Sequence, residues 1–337
     1  MAVKAFICGC QGLELTSPEA VFVADEHPWG LILFKRNIAD PAQVRALVGQ
    51  FRDIAGRSDA PVLIDQEGGR VQRMGPPDWR VYPSARRIGE AYRRDRLAGL
   101  GAARAGGRLM ALDLADVGIN VDCLPVLDVP HPGSHPIIGD RAYGDTAEEI
   151  AILARAVAEG LLAGGVLPVI KHIPGHGRAL ADSHFELPRV TSPLAELERV
   201  DFLPFAALAD LPLAMTAHMI YEAVDADRPA TLSPRVMAEV VRGRIGYDGL
   251  VMTDDLSMQA LSGTLGERAE AAIAAGCDML LHCNGRLAEM AQVAGAAPVL
   301  AGKAQERAHA ALARLRAPQE VDGDGLLAAM GALAENA

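Results

Sequence analysis

What most constrains this 337-residue chain is an eightfold repeat of organisation. Short apolar runs, each closed by a polar, often glycine-bearing turn, recur as VKAFICG (3–9), GLILFKR (30–36), PVLID (61–65), GINVDCLPV (118–126), VLPVIKH (166–172), LPLAMTAH (211–218), GLVMTDD (249–255) and CDMLLHC (277–283). Between them, stretches such as PAQVRALVGQFRDIAG, AEEIAILARAVAEGLLAGG and GERAEAAIAAG space apolar residues three and four apart, which predicts amphipathic helices. Strands that are apolar throughout need cover on both faces, as in a parallel sheet wrapped by helices. Eight such units predict an α/β fold, a single-domain TIM-type (β/α)8 barrel over residues 1–300, with a helical extension over 301–337 packed on it. A doubly wound open sheet is the alternative, but no G-x-G-x-x-G follows the first run.

Half the residues are hydrophobic, enough for a large core. The formal charge of −11 disfavours a nucleic-acid partner, because binding phosphates needs a basic face. Five cysteines, Cys8, Cys10, Cys123, Cys277 and Cys283, lie mostly inside apolar runs and read as buried, reduced thiols. No basic segment followed by an apolar one marks the N-terminus, and no apolar span reaches ~18 residues. A cytoplasmic protein without membrane association is expected.

In a parallel barrel the loops beyond the strand C-termini build the active site. Here those ends carry Lys35-Arg36-Asn37, Asp65-Gln66-Glu67-Gly68-Gly69-Arg70, Lys171-His172, His218, Asp254-Asp255 and Asn284. Asp254, directly after a buried strand, suits attack on an electrophilic carbon, whereas Asp255 is expected to cap the following helix. In Asp182-Ser183-His184 a carboxylate two residues from an imidazole can fix its tautomer and raise its pKa, giving a proton donor near neutrality. Lys171 and His172 are costly to bury unpaired and should line a polar cavity. His172, His176, His184 and His218 raise the possibility of zinc. Without H-x-H at a strand end or H-E-x-x-H, and with Lys171 repelling a dication, no metal or other cofactor is expected.

The ordered motifs LILFKRN, IDQEGGRVQR, PVLDV, KHIPGHG with ADSH and LP, MTAH and TDDLSM resemble the family 3 glycoside hydrolases over about residues 5–285, above all their single-domain bacterial β-N-acetylglucosaminidases. The resemblance implies removal of terminal β-linked N-acetylglucosamine with retention, through a covalent glycosyl-enzyme. Asp254 matches the nucleophile and His184 the acid/base, with Asp182 as its partner. Asp65, Arg73, Arg141, Lys171 and His172 match positions that hold the sugar or shape the pocket; Met215 and His218 would line its wall. Arg178, in place of a commoner residue, would sit beside the leaving group or face solvent, and residues 76–90 would form part of the rim. The implied role is cell-wall recycling by a monomer acting on a small carbohydrate, N-acetylglucosamine β-1,4-linked to 1,6-anhydro-N-acetylmuramic acid. A family 3 phosphorylase, a metal-dependent barrel hydrolase and a sugar-binding protein on a degenerate barrel are the alternatives.

Overall fold

The structure, a computed structural model, describes residues 2–180, 186–320 and 322–331. All eight predicted runs form strands: β1 (Lys4–Cys8), β2 (Pro28–Leu33), β3 (Val62–Ile64), β4 (Val121–Asp122), β5 (Leu167–Ile173), β6 (Leu213–Thr216), β7 (Leu250–Asp255) and β8 (Met279–His282). They pair in parallel in chain order, and the barrel closes where β8 meets β1, with Phe6 opposite Leu280 and Ile7 opposite Leu281. The protein is a TIM-type barrel.

Helices follow the strands on the outside: α1 (Ser17–Glu26), α2 (Pro41–Ala55), α3 (Ala85–Arg94), α4 (Arg96–Asp116), α5 (Ala147–Ala163), α6 (Leu194–Arg199), α7 (Leu203–Ala207), α8 (Leu265–Ala275) and α9 (Leu287–Ala296). The connection from β6 to β7 contains a π-helical segment, Val236–Arg244. Local sequence explains the helix ends. In α2, the Asp40 side chain accepts from the Gln43 N–H and Pro41 occupies the first turn; Gly56, in the left-handed region at φ 63°, ends it.

Two apolar layers hold the barrel, and strand alternation sorts residues between them. Ala5 and Ile7, Trp29 and Ile32, Leu63, Val121, Leu167 and Val169, Leu213, Leu250 and Met252, and Met279 and Leu281 fill the interior. Phe6, Leu31, Leu33, Val62, Ile64, Ile170, Ala214, Val251 and Leu280 face the helices. At the bottom, Trp29 shares the inner cluster with Leu300 and with Ala308 and Ala311 of α10 (Gly302–Leu312). Beyond it α11 (Gly323–Gly331) sets Leu326 and Met330 against the outer layer. Among the described residues no helix is long and apolar enough to cross a membrane. All five cysteines are buried free thiols.

Helices α4 and α5 approach through glycine. A Cβ on Gly107 would lie 2.3 Å from the Val157 carbonyl oxygen, and one on Gly160 2.3 Å from that of Arg104. Gly107→Ala sets a gain of about 1 kcal/mol in helix propensity against an overpacking cost of about 1–3 kcal/mol. Because the clashing atom is backbone, the cost wins. The variant is expected to unfold at a lower urea midpoint with an unchanged m value; a midpoint at or above wild type would contradict this packing.

Candidate active site

The alternation that fills the barrel also builds its mouth. One inward step beyond the packed interior brings Phe34 after Ile32, Asp65 after Leu63, Lys171 after Val169, Asp254 after Met252 and Cys283 after Leu281, while Met215 caps β6. All six line one cavity of about 380 Å³, together with Arg36, Glu67, Arg70, Arg73, Arg141, His172 and Asn284. Strand parity thus brings one side chain from each of these ends to the site, and His172, Asp255 and Asn284 join them out of parity.

A charge cluster crosses the cavity from β3 to β5. The Lys171 ammonium, only 2% exposed, donates to Asp65 Oδ1 at 2.8 Å and lies 2.7 Å from Glu67 Oε1. Arg73 Nη2 donates to Asp65 Oδ2 at 3.0 Å, and Arg141 grips Glu67 through Nε and Nη2, each at 2.8 Å. Burial alone would raise the Glu67 carboxyl, but Arg141 and Lys171 bring it down to about 2. Asp65 is held still further below the usual carboxylate range, burial being outweighed by Lys171 and Arg73. Its carboxylates keep Lys171 charged against the desolvation that would lower it.

The hairpin Gln66–Gly68 with Val71–Gln72 presents this cluster. Gln66 Oε1 accepts from the backbone N–H groups of Arg73 and Met74, each at 3.0 Å, which fixes where Arg73 starts. Residues 76–90, expected at the rim, instead support the hairpin from behind. Gly69 donates its N–H to the Tyr82 carbonyl at 3.0 Å, and Gln72 Nε2 donates to that of Arg80 at 2.7 Å. The long loop 129–145 closes over the hairpin because Arg70 donates to Asp140 at 2.7 Å and to the Ile137 carbonyl at 2.5 Å.

At the end of β5 the pairing register shifts between Lys171 and Ile173, and His172 lines the cavity beside Lys171. Asp128 holds it. One carboxylate oxygen lies 2.7 Å from His172 Nδ1, and the other accepts the backbone N–H groups of His172 at 3.1 Å and His176 at 2.6 Å. These contacts, His172 first among them, bring Asp128 down to about 2 against the effect of burial. Residues 174–180 are tied down further: Tyr221 Oη donates to the Gly175 carbonyl at 2.5 Å, and the His135 N–H to that of Ala179 at 2.7 Å. A Cβ on Gly177 would stand 1.8 Å from the Val129 carbonyl, so only glycine lets this segment lie so close. Asp182 and His184 lie outside the described residues.

Arg178 neither faces solvent nor lines the cavity. Its Nε donates to Asp201 at 2.7 Å, Nη1 to Ser192 at 2.8 Å, and Nη2 lies 2.8 Å from Glu196. A guanidinium takes this inward position because the buried Asp201 carboxylate needs a partner.

On β7, Asp254 continues the inward row of Leu250 and Met252 and points into the cavity. Its Oδ1 accepts the Asp255 N–H at 2.8 Å. Burial would raise its carboxyl, but His218, His172, the Asp255 N–H and Lys171 hold it below the ordinary range. Burial in turn lowers the His218 imidazole, which favours its neutral form. Asp255 does not cap the next helix, for Thr264 caps α8. Instead it folds the turn after β7, accepting from Ser257 N at 3.0 Å and Oγ at 2.7 Å, and ties β7 to β8 by accepting the Cys283 N–H at 3.2 Å.

Met215 lines the cavity as expected, but His218 does not. Fully buried, it puts Nδ1 2.7 Å from Thr231 Oγ1 and Nε2 3.0 Å from the Asp255 carbonyl oxygen. Its ring nitrogens, like His172 Nδ1, are engaged by the protein. Among the described residues no group of three His, Cys, Asp or Glu side chains is arranged to hold a metal.

Asp128 and Phe34 escaped notice as site residues, although both stand in the quoted motifs PVLDV and LILFKRN. The Phe34 ring carries the Arg36 guanidinium 5.0 Å from its centre and that of Arg73 at 5.1 Å. A strand-parity count would have found Phe34. Nothing local marks Thr231.

A barrel whose mouth gathers carboxylates and cations around one small cavity fits a glycoside hydrolase, and comparison with known proteins agrees. Residues 11–317 match the glycosyl hydrolase family 3 N-terminal domain. A β-hexosaminidase of Methylococcus capsulatus is 43% identical over 277 residues, 81% of this chain and 80% of that protein. One from Bordetella avium is 41% identical over 279 residues, 81% and 78% respectively. NagZ of Neisseria gonorrhoeae, solved with N-trifluoroacetyl-D-glucosamine, superposes with a TM-score of 0.86 at 30% identity, covering 99% of this chain and 97% of that one. This chain belongs to glycoside hydrolase family 3. It is an enzyme, a glycosidase whose curated relatives are β-hexosaminidases.

The cluster predicts an acid-dependent stability term. The depressed Glu67 carboxyl contributes stability that is complete above its ordinary 4.5 and is lost as pH falls towards about 2. Lys171→Met should cost about 3–5 kcal/mol at pH 7, where two buried carboxylates lose a shared cation. The penalty should shrink at pH 3, where those carboxylates can take up protons in the variant. Equal penalties by denaturant unfolding at both pH values would contradict the charge assignment.

Proposed function

We propose that this family 3 enzyme is a retaining exo-β-N-acetylglucosaminidase. The observation that carries the reading is Asp254, an inward carboxylate with one oxygen tied to the next backbone N–H. Among the described residues nothing else bonds to this carboxylate, so Oδ2 would be the oxygen that attacks an anomeric carbon. The lowered carboxyl keeps it ionised, as a nucleophile requires. A cavity of about 380 Å³ lies near the low end of the ~300–1,000 Å³ typical of small-ligand pockets and suits a single terminal sugar.

Asp65, Arg73, Arg141, Lys171 and His172 would bind that sugar. Asp65 spends each oxygen on one cation and retains lone pairs for hydroxyls, and the Lys171 ammonium has a third proton to donate. Sugar hydroxyls thus meet donors and acceptors already desolvated, so little reorganisation accompanies binding. In the first step Asp254 Oδ2 bonds to the anomeric carbon while His184, paired with Asp182, protonates the departing oxygen. In the second, the neutral imidazole takes a proton from water as its oxygen displaces Asp254. Imidazole in place of a second carboxyl avoids repulsion between two anions, and its ordinary pKa of ~6.5 needs little adjustment.

The substrate we assign is N-acetylglucosamine β-1,4-linked to 1,6-anhydro-N-acetylmuramic acid, with or without peptide, degraded in the cytoplasm during cell-wall recycling. Support comes from the ordered sequence motifs and from the likeness to a NagZ that binds an N-acylated glucosamine.

A 5-fluoro N-acetylglucosaminyl fluoride should add one sugar to the protein, and peptide mapping should find it on Asp254. Label on Asp255, or none, would remove the assignment. Early proton NMR spectra should show the β-anomer of free N-acetylglucosamine, even in phosphate buffer; sugar 1-phosphate as the main product would make the enzyme a phosphorylase. His184→Ala should slow substrates with poor leaving groups about 10²–10⁴-fold and activated aryl glycosides far less. Equal losses on both would exclude an acid role.

A further inference from the structure

We infer that His218, Thr231 and Thr216 form a hydrogen-bond brace that sets the position of Asp254, with His218 and Thr231 as positioning residues for the nucleophile. The inference rests on the reading of Asp254 as that nucleophile. It concerns three side chains that touch neither the cavity nor, in the reading above, the sugar.

The brace follows from donor and acceptor capacities. The Asp255 carbonyl can only accept, so the 3.0 Å contact makes His218 Nε2 the protonated nitrogen. In the neutral ring, Nδ1 is then a bare acceptor, and its neighbour at 2.7 Å is the Thr231 hydroxyl, which donates. That hydroxyl has one proton. Its other short contact, 2.7 Å to Thr216 Oγ1, must therefore be a bond donated by Thr216. Thr216 Oγ1 in turn accepts the Asp254 N–H at 3.3 Å. Donation runs one way, from the Asp254 N–H through two hydroxyls and an imidazole to the Asp255 carbonyl. The Ala217 carbonyl, at 3.2 Å, is the more distant acceptor for Thr231.

The three side chains are fully buried. In a dry site each bond is electrostatically strong and an unmade one is expensive, which favours a single arrangement. The far end is fixed as well. Thr231 sits in the turn Ala230–Leu232, where Ala230 donates its N–H to the Met219 carbonyl at 2.7 Å and Ser233 Oγ donates to Asp225 at 2.6 Å. The brace spans the backbone on both sides of the Asp254 side chain, whose own Oδ1 rests on the Asp255 N–H. Moving the Asp255 peptide would move the carboxylate.

Thr231→Val keeps the shape and removes the hydroxyl, leaving His218 Nδ1 without its donor; Thr231→Ser restores it. With an activated aryl N-acetyl-β-glucosaminide, where acid assistance matters least, Thr231→Val should lower kcat/KM about 10- to 100-fold, as expected for a displaced nucleophile. Labelling of Asp254 by the 5-fluoro inactivator should slow in parallel, while N-acetylglucosamine binds with an affinity within about threefold of wild type. Thr231→Ser should recover most of the rate. Labelling at the wild-type rate in Thr231→Val, or equal losses of labelling and sugar binding, would overturn the brace. A wild-type enzyme that takes no label on Asp254 would instead refute the nucleophile itself, and the brace with it.

Discussion

The site depends on one buried ammonium. Lys171, on the innermost row of β5, stands where the barrel interior passes from hydrocarbon to sugar cavity, and desolvation there costs several kcal/mol unless charge answers it. Two carboxylates from β3 and the hairpin after it, two strands away, answer it, and they need cations of their own. Arg73 and Arg141 supply these from a hairpin and from a loop more than seventy residues away. Arg141 gives loop 129–145 a second tie to this part of the barrel, beside the bonds that Arg70 makes to Asp140 and to the Ile137 carbonyl. An unpaired cation would not stay buried.

Charge is divided between the two sides of the cavity. Around Asp65 and Glu67 the carboxylates are locked to strong cations and stay ionised. Among the described residues, Asp254 has one oxygen engaged, by a backbone N–H, and no cation paired to the other. Were Asp254 paired with arginine as Glu67 is, its charge would be spread over two bonds and its reactivity spent. The same logic accounts for His218 behind the strand: burial favours its neutral form, so it bonds the Asp255 carbonyl without placing a formal charge beside Asp254.

Much of this was legible in the chain because a barrel reads as a period. Apolar runs of fixed parity give the strands, and stepping two residues beyond each run reaches Asp65, Lys171 and Asp254 without any structure. His172 breaks parity, and only the register shift in β5 brings it to the cavity. Arg178 and Asp255 were misplaced for a related reason. Their local sequence is that of a loop cation and a helix cap, but long-range partners, Asp201 for one and Ser257 with Cys283 for the other, outcompeted those roles. Thr231 carried no signal, since its function lies wholly in whom it touches.

Asp128 joins the end of β5 to the loop that follows it. A carboxylate has about four lone-pair sites, and this one uses three: on the His172 ring, on the His172 N–H and on the His176 N–H. The first orients a cavity histidine; the last fixes the start of the segment that leads to Asp182 and His184. Removing either contact would leave a buried charge underpaired, so the two are energetically linked. The course of the chain from Lys171 to Ala179 is therefore set by the same anion that aims His172. The cavity histidine and the loop cannot be repositioned independently, and glycine at 177, against the Val129 carbonyl, is the steric condition that lets one anion serve both.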